Sequence, residues 1–306
     1  KDKFLKAVKN YNMFSDVDEV VVGFSGGADS VCLLHVLDTY KDVFSYSVKA
    51  VHINHGIRGA EADSDEKFAE NFCMDLGIPF FSEKIDCIAE AKANKESIEE
   101  CGRRLRYEKF NEFCVGNSVI ATAHNANDNA ETMIFNITRG TSVKGLCGIP
   151  FVRDNIIRPL LYCSRKEIEA YCNENALSYV TDSTNAEVEY TRNKIRHMVL
   201  PVLEQINPNL IDSFSSLSDN AELVSDFMTS KVNELLNVAR KSPFCYDRTI
   251  LLNSNKAVVL QLLCSEFNEY SEMVLDSKKT NALYDLLVNC GRLQLFGNIF
   301  AEVKKD

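Results

Sequence analysis

Apolar residues in the first half of the chain recur in two alternating patterns. A short unbroken apolar run at 20–24 predicts a buried strand, and 30–39 follow with the spacing of an amphipathic helix. The pairing then repeats. A strand at 48–53 precedes a helix at 64–76, with Asp63 as a candidate N-cap. A weaker strand at 80–84 precedes a strongly patterned helix at 98–114, with Ile98, Cys101, Leu105 and Phe110 or Phe113 near one face. A fourth strand at 119–123 leads to a helix at 129–138. Strands alternating with helices predict βαβ units and an α/β fold with a doubly wound, mostly parallel sheet. Functional residues then gather at the C-terminal ends of the strands.

The pattern changes further on. Ser164, Arg165, Lys166 and Glu167 form a capping box that opens a helix to about 175, and 182–190 reads as a loop. A helix at 191–200 is expected to stop at Pro201. A long helical run over 210–240 precedes a predicted strand at 246–252, helices at 255–270 and 278–288, and a β-rich end at 292–303. The change predicts a domain boundary near 203–212. It separates an α/β domain over 1–205 from a second, mainly helical α+β domain over 206–306.

Composition narrows the class. A chain of 306 residues has room for two domains, and 13 Gly and 6 Pro exclude collagen-like or Pro/Gly-rich disorder. No apolar run approaches the ~20 residues of a membrane span, and the N-terminal stretch lacks a signal-like apolar core. No membrane association and a cytoplasmic location are therefore expected. The 11 cysteines are scattered without a C-x-x-C pair, which excludes a zinc ribbon and a disulfide framework and predicts reduced, mostly buried thiols. A net charge of −10 counts at first against a nucleic-acid partner. By thirds, however, the net charge is −8, +2 and −4, so residues 101–200 alone are positive. Screening over ~10 Å lets a local basic face act independently of the rest.

The densest chemistry follows the first strand. Ser25, Gly26, Gly27, Ala28, Asp29 and Ser30 join a strand to a helix through a glycine pair. Two glycines let backbone N–H groups turn inward, a helix N-terminus aims its positive end at the same point, and the serines add hydroxyls. That combination is an anion cradle. A turn that binds nothing is the plainer alternative for a lone glycine pair; the full string after a buried strand disfavours it. It is not a Walker A loop, since no Lys follows the glycines, and the G-x-x-x-x-G from Gly140 to Gly145 runs into Leu146 and Cys147. The string resembles the PP-loop of the N-type ATP pyrophosphatases. That resemblance implies a Rossmann-like PP-loop fold, cleavage of ATP between its α and β phosphates, and adenylation of a substrate oxygen.

Four further stretches resemble one branch of that superfamily, the tRNA(Ile)-lysidine synthases, in order and spacing over about 19–210. The first holds His52, Asn54, His55, Arg58, Glu61, Asp63 and Asp65, and the second Arg103, Arg104, Arg106 and Tyr107. The third runs from His124 through Asp128, Glu131 and Thr132 to Arg139, Gly140, Gly145 and Gly148. The fourth holds Arg158, Pro159, Leu160 and Leu161, then Asp182 to Asn185, then Tyr190, Arg192, Asn193 and Arg196. Asp128 and Glu131 are three apart, so both carboxylates share a helix face and could clamp an ammonium group. A helix cap and a solvated first-turn acid are the plainer alternatives. Arg103, Arg104 and Arg106 cannot share one face, so one of them is expected to enter the site. The resemblance favours Arg104, as a cation near the transferring phosphate or the target base. Arg192 and Arg196, four apart, form a candidate phosphate-contacting stripe. His52 and His55 lack a third histidine nearby, which disfavours a metal site, and the resemblance suggests contact with adenine near His52.

The resemblance implies a two-step ligation. The O2 of the wobble cytidine (C34) of a tRNA(Ile) with a CAU anticodon attacks the α-phosphate of ATP, and L-lysine then displaces AMP to give lysidine. The expected roles follow. Ser25 to Ser30 and His52 hold ATP, and Asp29 organises Mg²⁺. Asp29, Arg104, Asp128 and Glu131 are the catalytic set. His124, Asp128, Glu131, Arg192 and Arg196 meet the substrates, and the second domain positions tRNA. The assembly state stays open, a homodimer included. Family members continue into a further small domain, and the chain starts at Lys1 and stops at Asp306, so a shortened chain is expected. The alternative is a PP-loop tRNA thiolase forming 2-thiocytidine or 2-thiouridine; the lack of a C-x-x-C pair counts against its cluster-dependent form.

Overall fold

The structure, a computed structural model, describes residues 1–306 except 55–59, 181–189, 272 and 305–306. Three consecutive valines set the layers of its first compact unit, Lys1–Asp219. In strand β1 (Glu19–Gly23) successive side chains point to opposite faces. Val20 and Val22 are buried with Phe4 of α1 (Asp2–Tyr11) and Leu33, Leu34 and Leu37 of α2 (Ala28–Phe44). Val21 is buried on the other face. It joins Val51 of β2 (Ser47–Asn54), and the chain continues through α3 (Ala60–Leu76), β3 (Phe80–Lys84) and α4 (Cys87–Asn94). Phe110 of α5 (Ile98–Glu112) covers that second face with Ile120 of β4 (Ser118–Ala121). A Cβ on Gly23 would stand 2.7 Å from Cζ of Phe110, so the close approach of α5 to β1 requires glycine there.

After β4 come α6 (Ala126–Thr138), α7 (Val143–Leu146), β5 (Val152–Arg153), β6 (Ile156–Ile157) and α8 (Arg165–Glu174). The sheet order is β3-β2-β1-β4-β6-β5; the first five strands are parallel and β5 pairs antiparallel at the edge. This is the expected doubly wound, mostly parallel sheet. The chain leaves β1 toward β2 and β3, then returns to β1's other side as β4. The strand order therefore reverses between β1 and β4, and a ligand crevice belongs beyond their carboxyl ends. Helices α2 and α6 both start there.

Two local expectations are corrected. The helix through 191–200 does not stop at Pro201. It runs as α9 (Tyr190–Lys194), a π-helical turn at Ile195–Val199, and α10 (Leu200–Ile206). Pro201 occupies the first turn of α10, where its missing N–H costs least. Ile195 and Leu200 pack on Ala126, Ala130 and Ile134 of α6. Likewise 246–252 is not a strand. Asp247 accepts the N–H groups of Thr249 and Ile250 at 2.9 and 3.2 Å, which starts a helix after a two-residue strand. A short apolar run alone cannot tell these cases apart.

The second unit, Asn220–Asp306, carries the rest of α11 (Leu210–Ala239), whose first turns lie in the first unit. It contains the strand pair β7 (Arg240–Ser242) and β8 (Cys245–Tyr246), helices α12 (Arg248–Leu252), α13 (Lys256–Tyr270) and α14 (Ser277–Asn289), and the hairpin β9 (Gly291–Phe296) and β10 (Ile299–Val303). Its core is Val232, Leu235, Leu251, Val259, Leu262 and Leu287. The buried Glu266 carboxylate accepts from Arg240 and Tyr246, so its charge is compensated.

Candidate functional site

The loop from Phe24 to Gly27 is held from several sides. Phe24 N–H bonds the carbonyl of Val51 at 2.9 Å, and Nδ1 of the buried His52 donates to the Phe24 carbonyl at 2.9 Å. Gly26 sits at φ +84°, a left-handed conformation that favours glycine, and Gly27 caps α2. The Val180 N–H donates to the Gly26 carbonyl at 2.9 Å, which braces the loop from outside the sheet. The hydroxyls of Ser25 and Ser30 are 3.1 Å apart, and that of Ser30 bonds the Gly27 carbonyl at 3.0 Å. Ser25 is exposed at the loop's rim. The arrangement has the features of an anion cradle: a glycine turn, hydroxyls and a helix N-terminus at one place.

A second group stands at the start of α6. Asn125 is the N-cap. Its side-chain oxygen accepts from the N–H of Asn127 and Asp128, and its amide donates to Asp29 at 3.0 Å. One residue thus ties the first turn of α2 to the N-terminus of α6. Asp128 returns the capping bond by accepting the Asn125 N–H at 3.0 Å. Its other oxygen meets Arg196 at 3.1 Å and Arg165 at 3.9 Å. Arg196 also grips Glu131 with two bonds, 2.6 Å from Nε and 3.0 Å from a terminal nitrogen. Glu131 is 2% exposed. The start of α8 is laced to the same place, since Arg165 N–H donates to the Asn127 side chain at 3.0 Å.

Burial and like charge set the electrostatics. Burial, reinforced by Asp128, pushes the Asp29 carboxyl up to about 6. Burial also raises Glu131, against the opposing pull of Arg196. Burial lowers His124 to about 4, although Asp128 favours its charged form; Arg158, Arg103 and Arg106 oppose that charge. His124 is therefore neutral at pH 7, and its Nδ1 lies 3.0 Å from the Thr122 hydroxyl.

Asp29, Asp128, Glu131 and Arg196 are brought into one network beside the glycine loop. His52 lies beneath that loop, and His124 stands just ahead of α6. Arg104 lies elsewhere: its guanidinium bonds Glu96 at 3.1–3.2 Å and Glu108 at 3.1 Å. Arg103 lies over the Tyr107 ring at 5.4 Å, and it is Arg103, Arg106 and Arg158 that reach His124 electrostatically. Arg192 is half-buried one turn before Arg196 on α9. His55, Arg58 and 182–185 lie outside the described residues. Asn125, Arg165 and Val180 also join this site, and their sequence contexts alone do not single them out as site residues. The N-x-x-D spacing of Asn125 and Asp128 is a capping signature that would have moved the helix start back to 126. No such signal marks Val180.

The PP-loop domain family matches residues 1–203. The tRNA(Ile)-lysidine synthase of Clostridium tetani is 42% identical over 231 residues, covering 74% of this chain and 50% of that protein. That of Petrotoga mobilis is 40% identical, covering 71% and 70%. That of Clostridium acetobutylicum is 34% identical over 321 residues, covering 99% and 70%. The chain spans about half the length of the C. tetani relative and of the Clostridioides difficile one, at 50% and 54%. Among solved structures, a U34-tRNA thiolase from Methanococcus maripaludis shares the fold with TM-score 0.57 and 21% identity over 73% of this chain and 77% of its own. No helix of the described residues is long and apolar enough to cross a membrane.

Proposed function

Because the chain belongs to the tRNA(Ile)-lysidine synthase family, we propose that it joins L-lysine to C2 of the wobble cytidine, C34, of tRNA(Ile) with a CAU anticodon. Three features support this reading: family membership, the glycine loop at the switch point of the sheet, and an acid pair that already holds a cation. The cation-holding pair of Asp128 and Glu131 is the observation that favours an amine as second substrate.

In the first step the cytidine O2 attacks the α-phosphate of ATP, the bond to the β-phosphate breaks, and pyrophosphate leaves. Ser25, Gly26, Gly27, Ala28 and Ser30 hold the phosphates with N–H and hydroxyl groups, and His52 fixes the loop beside the adenine. Arg104 meets the transferring phosphate in this proposal, which requires it to give up Glu96 and Glu108. Asp29 would hold Mg²⁺. The residues fit that ion: the Asp29 carboxyl, raised by burial and by Asp128, gains from an added cation, and Mg²⁺ needs only one or two protein carboxylates when phosphates supply other ligands. When bound, the ion screens charge on the phosphates.

In the second step the ε-amine of lysine attacks C2, and AMP leaves with the bonding pair. A free lysine ammonium, of pKa about 10.4, must first lose a proton, and Asp128 or Glu131 accepts it. His124 and Arg192 lie beside the substrates in this scheme. Unstacking the cytidine costs a few kcal/mol, less in a loop than in a duplex. The test uses ATP labelled at its α-phosphate, CAU tRNA and no lysine. Label is expected on the tRNA and is discharged as AMP when lysine is added. A tRNA that never carries label refutes the adenylated intermediate.

A further inference from the structure

Arg196 already occupies the place at which the proposed amine substrate would bind. Both oxygens of Glu131 accept from its guanidinium, at 2.6 and 3.0 Å, and one oxygen of Asp128 does so at 3.1 Å. The remaining oxygen of Asp128 accepts the Asn125 N–H at 3.0 Å. All four carboxylate oxygens therefore have donors. An incoming ammonium carries three N–H donors and no acceptor, so it would have to share these oxygens with the guanidinium or take the guanidinium's place. Sharing would seat it beside a guanidinium of the same sign.

The two sides of this contact differ in freedom. Asp128 and Glu131 project from the first turns of α6, and the Glu131 side chain is 3% exposed. The Arg196 side chain is 21% exposed and so borders solvent. Its backbone lies in the π-helical turn Ile195–Val199, where Ile195 anchors it against Ala126, Ala130 and Ile134. An arginine pinned at its backbone, with part of its side chain at the solvent boundary, can swing away without moving α6. π-Helical turns occur often at functional sites.

We propose that Arg196 is a resident occupant of the amine-binding acid pair and that the substrate ammonium binds by displacing it. Arg196 then sets specificity by competition. Only a ligand that brings its own cation can repay the loss of two carboxylate contacts, and an uncharged amino acid of similar length cannot. The inference rests on the reading of Asp128 and Glu131 as the lysine site.

The test is titration calorimetry of L-lysine into the purified protein and into Arg196→Ala. The variant is expected to bind lysine about tenfold more tightly, the order associated with a charge-assisted bond that no longer has to break. Dilute guanidinium ion should refill the vacated acids and weaken lysine binding in the variant alone, a response that a scaffolding role for Arg196 would not produce. Circular dichroism checks folding; if Arg196→Ala unfolds, Arg196→Gln keeps a donor toward Glu131 without the charge and carries the same test. Unchanged or weaker lysine binding by the folded variant overturns the displacement. Absence of lysine binding by both proteins while ATP still binds overturns the lysine-site reading and, with it, this inference.

Discussion

Replacing Asp29 by asparagine should stabilise the protein while removing the proposed ATP chemistry. The Asp29 carboxyl is raised from 3.8 to about 6, chiefly by burial and then by the negative charge of Asp128. At ~1.4 kcal/mol for each tenfold change, that amounts to about 3 kcal/mol of destabilisation when the group is ionised. The sign follows from proton linkage. Below pH 3.8 the group is protonated in both folded and unfolded chains and has no effect. Between 3.8 and about 6 the folded chain binds more proton, so its stability falls as pH rises. Above that range the full cost is present. The substituted amide would keep an acceptor for the Asn125 side chain, now 3.0 Å from Asp29, and carry no charge. The chain has 11 Tyr and no Trp, so urea unfolding is best followed by circular dichroism. Asp29→Asn is expected to be about 3 kcal/mol more stable at about pH 8, with the gap closing as pH falls through about 6. Pyrophosphate release should be lost. Equal stabilities in the alkaline range, or a less stable variant, would refute the electrostatic reasoning, and normal pyrophosphate release would remove Asp29 from the ATP site.

Other expectations follow from the same geometry. Asp128→Ala and Glu131→Ala should each raise the KM for lysine more than that for ATP; unchanged lysine kinetics in both would remove them from the amine site. Arg104→Ala should slow pyrophosphate release while leaving the urea unfolding midpoint nearly unchanged, since its pairs with Glu96 and Glu108 are solvent-screened. Unaltered release would place Arg104 outside the reaction. Gly23→Ala should cost about 1–3 kcal/mol in urea unfolding because its Cβ would meet the Phe110 ring at 2.7 Å. A neutral result there would mean that α5 yields freely.

The sheet is legible in the sequence because burial on both faces leaves continuous apolar strands between patterned helices. Val20–Val22 and the residues after them need no partner information to read. What a single sequence hides is pairing across distance. Asp128 and Glu131 can be seen to share a helix face, but nothing in their spacing says that Arg196, 65 residues beyond Glu131, fills the gap. Arg196 reads as a phosphate contact because a helical stripe of arginines has that meaning when its facing surface is unknown. Arg104 stands out among three arginines by resemblance alone, and the glutamates that hold it, one eight residues before and one four residues after, emerge only from the helix geometry. The second unit is less legible, since its short apolar segments suit helix or strand equally, as 246–252 shows.

Lysidine formation is tested by supplying the protein with ATP, Mg²⁺, labelled lysine and unmodified CAU tRNA and comparing lysine incorporated with AMP released. One label per AMP is expected, abolished when the wobble C is changed to U. AMP or pyrophosphate formed without label in the tRNA would contradict lysine as the second substrate and redirect the PP-loop chemistry to another nucleophile such as a sulfur donor.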